Sequence, residues 1–497
     1  MKDKLVIYQV LPRLFGADAK DCQKNGSKTQ NGCGKLADFS IKALDELREM
    51  GINYIWYTGV ISHATKTTYA KQGIPNDNPD LVKGNAGSPY AIKNYYDIDP
   101  DLAENVSKRV DEFKRLIKRS HHCGLKTIMD FIPNHVAAEY KGDNFTDANY
   151  YEGHIHDGDW TDTAKLNYNN HDTWEKMLDI LNYWADMGID GFRCDMAELV
   201  PCEFWEWAIP QIKKSHKGLI FIAEVYNPQQ YRDYIFRGHF DYLYDKVGLY
   251  DSLKAVVQGQ SASILTNCWQ AVDDIKDHMV NFLENHDEQR IASRFFAGDA
   301  KKGRPALLVS ALMGTNPFML YFGQELGEAA KDSEGFSGDD GRTTIYDYWT
   351  LGSISRWRNQ GKFDSKLLSL AEKDLRNYYI QVLRICNTEK AIREGLFFDL
   401  MYANYDNTEM DTNKVYAFIR KKDKEMIIVL SNFSDTTQNI HLNIPDHAYE
   451  YLNIPHIGPI AYTNLLTGMK DDCYLIPKQN IPFTIPANNG LVLKFNL

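Results

Sequence analysis

The sequence predicts an α/β fold: a closed (β/α)8 barrel with a short inserted domain after its third strand, followed by an all-β sandwich. Three observations lead there. Strand-like and helix-like segments alternate as far as residue 395 of the 497, the pattern of parallel strands joined by crossover helices. Eight such strands occur, and several end in clustered polar residues, as in barrels that build a site at that face. Beyond about residue 395 the helical period stops, and short strands separated by turn signals take over.

The eight strands read in order as "KLVIYQVLPRL", "INYIWYTGVI", "LKTIMDFI", "IDGFRCDM", "LIFIAEV", "FDYLYDKV", "HMVNFLEN" and "NPFMLYFGQEL". Between them, "FSIKALDELREMG" is an amphipathic helix ending at Gly51. The stretch "ENVSKRVDEFKRLIKRSHHCG" carries Val106, Val110, Phe113 and Ile117 at helical spacing and stops at Gly124. Further helices fall at 172–187 and 203–215 and in "RPALLVSALMG". Two connections are long, 136–170 and 328–370, and loops of that length tend to carry function. The strands "KVYAFIRK", "EMIIVLSNF", "NIHLNI" and "GLVLKFNL" build the terminal sandwich. The expected division is a barrel over 1–135 and 171–395, an insert over 136–170 and a β-domain over 396–497.

Hydrophobic residues at 43% and charged residues at 25% describe a soluble globular chain. A net charge of −11, from 56 basic and 67 acidic residues, argues against nucleic acid and anionic membranes as partners. No apolar run reaches the roughly 18 residues of a membrane helix. The first fifteen residues could pass for a short leader, but Gln9 and Arg13 interrupt the run and a strand is the expectation, with a cytoplasmic location. The eight cysteines form no CxxC or zinc-like cluster. Cys22 and Cys33 share a loop and could bridge, although scattered free thiols in a reducing compartment are the main reading.

The chemistry lies at the strand ends. The third strand closes with "DFIPNH", where Asp130 and Asn134 share parity and are both expected to face inward, and His135 begins the loop. The fourth closes with "GFRCD", which turns Arg193 and Asp195 inward and Cys194 outward. The fifth offers Glu224, and the seventh offers His286 and Asp287. Arg193 is expected to depress the pKa of Asp195. Glu224 has no cationic neighbour in sequence and is expected to hold its proton longer, beside Asp195 and Asp287. One ionised and one protonated carboxyl flanking a bond can cleave an acetal at a sugar, Asp195 attacking and Glu224 protonating the leaving oxygen. Asp287, His135 and His286 can stabilise the positively charged ring. This chemistry requires no cofactor.

These motifs resemble the four conserved motifs of the α-amylase family, retaining glycoside hydrolases of family 13 built on a TIM barrel. "DFIPNH", "GFRCD", "FIAEV" and "ENHD" match them in order, and "SPYAIKNYYDIDP" and "FMLYFGQELG" add support. The resemblance implies Asp195 as nucleophile, Glu224 as acid/base and Asp287 as the carboxylate that binds sugar hydroxyls. It implies substrate contacts for Tyr90, His135, Arg193 and His286, with Tyr90 stacking on the cleaved sugar. Two departures bear on specificity. Glu198 and Leu199 stand where typical members carry a Lys-His pair on the leaving side, and "AKLN" (164–167) is similar to a neopullulanase or oligo-1,6-glucosidase motif. The resemblance also makes Asn134 a candidate ligand of a structural calcium ion, with Asn167 where some members use Asp. The implied activity is hydrolysis of α-1,4-glucosidic bonds in starch-derived glucans and maltooligosaccharides. Neopullulanase- or cyclomaltodextrinase-like activity, transglycosylation, a sugar isomerase and a non-catalytic carbohydrate-binding barrel remain alternatives.

Overall fold

The computed structural model describes residues 3–331, 334–336, 338–455, 457–477 and 479–497. Eight parallel strands close into a barrel: β1 (Val6–Val10), β2 (Tyr54–Tyr57), β3 (Lys126–Phe131), β4 (Gly191–Cys194), β5 (Ile220–Ala223), β6 (Tyr242–Tyr244), β7 (Met279–Phe282) and β8 (Phe318–Tyr321). Each pairs with its sequence neighbours, and β1 joins β8 to complete the ring. These are the eight strands expected from sequence. They read as nearly continuous apolar runs because both faces are covered, one by the barrel interior and one by helices. All five residues of β1 are buried, Gln9 among them.

Local signals set the helices. In α1 (Ile41–Met50), the Ser40 hydroxyl accepts from the Ala43 N–H, and Gly51, at φ +113°, ends the helix. Its buried face is Ala43, Leu44, Leu47 and Met50, spaced to lie along one stripe. The helices α2 (Arg109–His122), α3 (His171–Asp186) and α4 (Cys202–Ser215) follow β2, β3 and β4. Between β5 and β6 the only helical piece is the single π-helical turn Asp233–Arg237. The connection from β2 to α2 spans 58–108 and contains an antiparallel pair, Ile61–His63 with Ile92–Ile98; its length escaped the sequence reading. After β3, His135–Ala137 pairs antiparallel with Thr163–Lys165 and closes off the polar insert.

The C-terminal strands form a six-stranded antiparallel sheet and a separate two-stranded one, Gln438–Leu442 with Ile481–Ile485. Two buried polar groups tie this domain to the barrel. Arg420 donates to the carbonyls of Leu312, Met313, Ile392 and Gly395. Asp399 accepts from Thr266, Trp269 and Tyr416. The cysteines are free thiols, Cys22 and Cys33 included. Among the described residues no helix is long and apolar enough to cross a membrane.

One buried ion pair sets the loop that leaves β7. Arg290 Nη1 lies 2.8 Å from Glu284 Oε2, and both residues are buried. Arg290 also donates to the Phe322 carbonyl and the Thr343 hydroxyl, while Glu284 Oε1 accepts the Ile291 N–H. His286 and Asp287 lie between the two partners in sequence. Removing one partner strands the other charge in the interior. Arg290→Leu is therefore expected to cost about 3–5 kcal/mol in urea unfolding, and Glu284→Leu/Arg290→Leu is expected to recover most of that loss.

Candidate active site

The C-terminal ends of the strands open into a cleft of about 590 Å³ lined by Tyr90, His135, Asp195, Glu224, His286 and Asp287, together with loop residues. Two depressions elsewhere are roomier, at about 810 and 820 Å³, but neither holds a strand-end carboxylate. Tyr90, His135, Asp195, Glu224, His286 and Asp287, singled out in sequence, line this cleft, and Arg193 lies beneath them; Asn134, Asn167, Glu198 and Leu199 are not among its lining residues.

Register explains the convergence. Across adjacent parallel strands Asp130 pairs with Arg193, and Arg193 with Ile222. Two residues further on, Asp195 and Glu224 stand level, and the Glu224 N–H donates to the Cys194 carbonyl. Neighbouring strands run about 4.8 Å apart. Gly191 lets β4 approach so closely: a Cβ there would come 2.5 Å from the Ile220 side chain.

Arg193 forms the floor and is fully buried. Its Nη1 lies 2.6 Å from Asp195 Oδ1 and 3.5 Å from Asp130 Oδ1, and its Nη2 lies 2.7 Å from Glu224 Oε2. The rings of Trp56, Tyr90 and Tyr244 surround the guanidinium at 5.4–5.6 Å. The pairing with Glu224 corrects the expectation that this carboxyl lacks a cationic neighbour, because strand pairing supplies what sequence proximity does not. The expected depression of the Asp195 pKa is corrected as well. Burial raises it, against the opposing pull of the Arg193 charge and hydrogen bonds from Arg193 and Glu224. Glu224 is raised by burial and by the Asp195 charge, with Arg193 opposing. Burial lifts Asp130 to about 7. Asp287 is pushed up by desolvation and then by Glu224.

Glu224 Oε2 accepts from the Met196 N–H at 2.8 Å, and Oε1 accepts from the Tyr226 hydroxyl at 2.6 Å. Met196 reaches it from the left-handed region, at φ +43°, an uncommon conformation for a non-glycine residue. Tyr226 was missed in sequence, although it follows Glu224 by two residues. Glu198 turns to the backbone: its Oε2 accepts from the N–H groups of Tyr226 and Asn227, both at 3.0 Å. Leu199 is partly exposed.

Both histidines sit where a positive charge is disfavoured. Burial lowers His135 to about 4 and takes His286 well below its ordinary value. The Gln9 amide nitrogen lies 2.7 Å from His286 Nδ1, which leaves the ring proton on Nε2, facing the Tyr90 hydroxyl at 2.5 Å and Asp287 Oδ2 at 3.1 Å. His135 Nε2 lies 4.0 Å from Asp195 Oδ2. Asn134 departs from its expected inward direction because β3 ends at Phe131, and strand parity does not carry past Pro133. Its amide nitrogen donates to Asp157 of the insert and contacts His135 Nδ1 at 3.2 Å. Asn167 Oδ1 accepts from the Asn169 N–H in a local turn.

The cleft thus holds two carboxyls level on adjacent strands, a third carboxyl from the loop after β7, two histidines and three tyrosines, Tyr90, Tyr226 and Tyr346. Comparison with known proteins agrees with this geometry. The model described as "Alpha amylase, catalytic domain" matches residues 9–161 and 141–347, and "Alpha amylase, C-terminal all-beta domain" matches 405–496. Alpha-amylase 2 of Dictyoglomus thermophilum is 23% identical over 89% of this chain and 71% of its own length. A cyclomaltodextrinase of Bacillus sp. is 23% identical over 86% of this chain and 69% of its own. The solved α-amylase of Geobacillus thermoleovorans, complexed with acarbose, superposes with a TM-score of 0.72 at 20% identity, over 99% of this chain and 98% of that one. Barrel, terminal β-domain and family models together establish that this chain belongs to the α-amylase family of glycoside hydrolases.

Proposed function

We propose that the protein hydrolyses α-1,4-glucosidic bonds in starch-derived glucans and maltooligosaccharides with retention of configuration, through a covalent glucosyl intermediate on Asp195. The observation that carries this reading is the pair Asp195–Glu224, level on adjacent strands and gripped by neighbouring nitrogens of the one Arg193 guanidinium. Carboxyls on adjacent strands that share one guanidinium favour retention, for which a spacing of roughly 5–5.5 Å is usual, over inversion, which needs about 6.5–9.5 Å for an intervening water. Asp195 attacks the anomeric carbon while Glu224 protonates the departing oxygen. Glu224 then takes a proton from the water that releases the sugar. The Nε2–H groups of His135 and His286, with Asp287, suit sugar hydroxyls around a ring that gains positive charge.

Cyclomaltodextrinase- or neopullulanase-like specificity is a second reading of equal standing. Glu198 supports it: one of its carboxylate oxygens is engaged by the backbone N–H groups of Tyr226 and Asn227, and it stands where typical members carry a lysine on the leaving side. The cyclomaltodextrinase relative supports it as well. Product profiles on maltoheptaose, pullulan, cyclodextrin and sucrose separate the readings. Short linear products from maltoheptaose, with pullulan and cyclodextrin left intact, favour the first.

Three outcomes are expected. Asp195→Asn should lower kcat by at least about 10³-fold with little change in substrate binding, and proton NMR of the wild-type reaction should show the α-anomer first. A β-anomer appearing first would exclude Asp195 as nucleophile. Glu224→Gln should still form the intermediate from a glucosyl fluoride, whose leaving group needs no proton. Tyr226→Phe removes a hydrogen bond that favours the Glu224 carboxylate. The acid should then keep its proton to higher pH, moving the alkaline limb of kcat/KM upward by roughly one unit.

A further inference from the structure

The joint between insert and barrel is built around one carboxylate, Asp157. Its Oδ2 accepts from the Asn134 amide nitrogen, and its Oδ1 lies 2.7 Å from the Lys165 ammonium. Lys165 sits at a fixed place, since its residue pairs with His135 across the short ladder and its N–H donates to the Ile155 carbonyl. The family resemblance puts a calcium ion at this joint, with Asn134 as a ligand. The donors here do not suit one. Calcium takes six to eight oxygens, whereas Asn134 presents its nitrogen to Asp157, and both Asp157 oxygens are already engaged. Asn167 is used in its own turn. Among the described residues no group of three or more His, Cys, Asp or Glu could hold a metal ion. An added divalent ion would also meet the ammonium.

We infer that Lys165 is a built-in cation that does at this joint what a bound calcium ion would do, and that the protein holds its insert without one. The effect reaches the catalytic centre by contact. A carboxylate only accepts, so Asp157 fixes which way the Asn134 amide faces. That amide nitrogen then donates to His135 Nδ1, which leaves the His135 proton on Nε2, the atom that faces Asp195. Lys165 is thus a positioning residue acting through Asp157, Asn134 and His135. The inference does not depend on the substrate.

The test reads stability and cation binding alongside activity. Wild-type protein should melt at the same temperature in EDTA and in millimolar CaCl2, and calorimetric titration should show no Ca²⁺ binding. Lys165→Met should lower Tm by about 2 °C and reduce kcat, and millimolar CaCl2 should restore part of both, with binding now visible by titration. Asp157→Asn/Lys165→Met, which removes both charges, should show no response to Ca²⁺. If the Met variant does not fold, Lys165→Gln carries the same comparison, and the wild-type arm stands by itself. A wild-type Tm that falls in EDTA and returns with Ca²⁺ would overturn the inference. So would a lysine variant whose response to Ca²⁺ matches that of wild type.

Discussion

The site depends on the placement of one guanidinium. Arg193 lies at the bottom of the cleft with no exposure to water, in reach of three carboxyls and ringed by three aromatic side chains. A single positive charge cannot fully offset the cost of three carboxylates in a dry interior, so protonation is favoured there more than in water. Burial raises Asp130, Asp195 and Glu224, and the one Arg193 charge opposes the rise without cancelling it. Strand register decides which carboxyls share the charge. Asymmetry between Asp195 and Glu224 then comes from their other partners. Glu224 has Tyr226 and the Met196 N–H, and Asp195 has the His135 ring.

Around that floor, loops set the walls. The 58–108 connection brings Tyr90, the turn after β3 brings His135, the insert brings Trp160, and the segment after β8 brings Arg342 and Tyr346. Each is pinned by buried or half-buried polar contacts, such as Glu284 with Arg290 below Asp287 and Asp157 with Lys165 behind His135. The barrel strands therefore supply the reacting carboxyls in a fixed frame, while the shape of the sugar-binding space is left to the loops.

Much of this was legible in the chain. All eight barrel strands could be read because apolar runs bounded by Gly, Pro and charged residues are local signals. The carboxylates could be read because polarity at a strand end is local too. Relations between strands were not legible. That Arg193 reaches Glu224 depends on a neighbouring strand and its register. That Asp195 shifts upward depends on burial, which no pair of adjacent letters reveals. Asn134 was aimed inward by extending strand alternation past Pro133, where the strand has already ended. Lys165 reads as an ordinary charge in "AKLN" and gains meaning only because an antiparallel ladder sets it beside His135. The β2–α2 connection, 58–108, is not among the two long connections expected from sequence.

The bond from Gln9 to His286 joins the first strand of the ring to the loop after the seventh. The ladder between β1 and β8 has the longest sequence separation of any in the barrel. Partial arcs of such a ring can acquire strands, helices and even the Arg193 cluster from neighbours in sequence, but the His286 ring receives its proton address from the far end of the chain. During refolding, contacts this distant form late, since loop-closure entropy must be met before they stabilise anything. Regained sugar cleavage would thus report closure of the whole circle, at a moment when probes of helix content had already reached their final value.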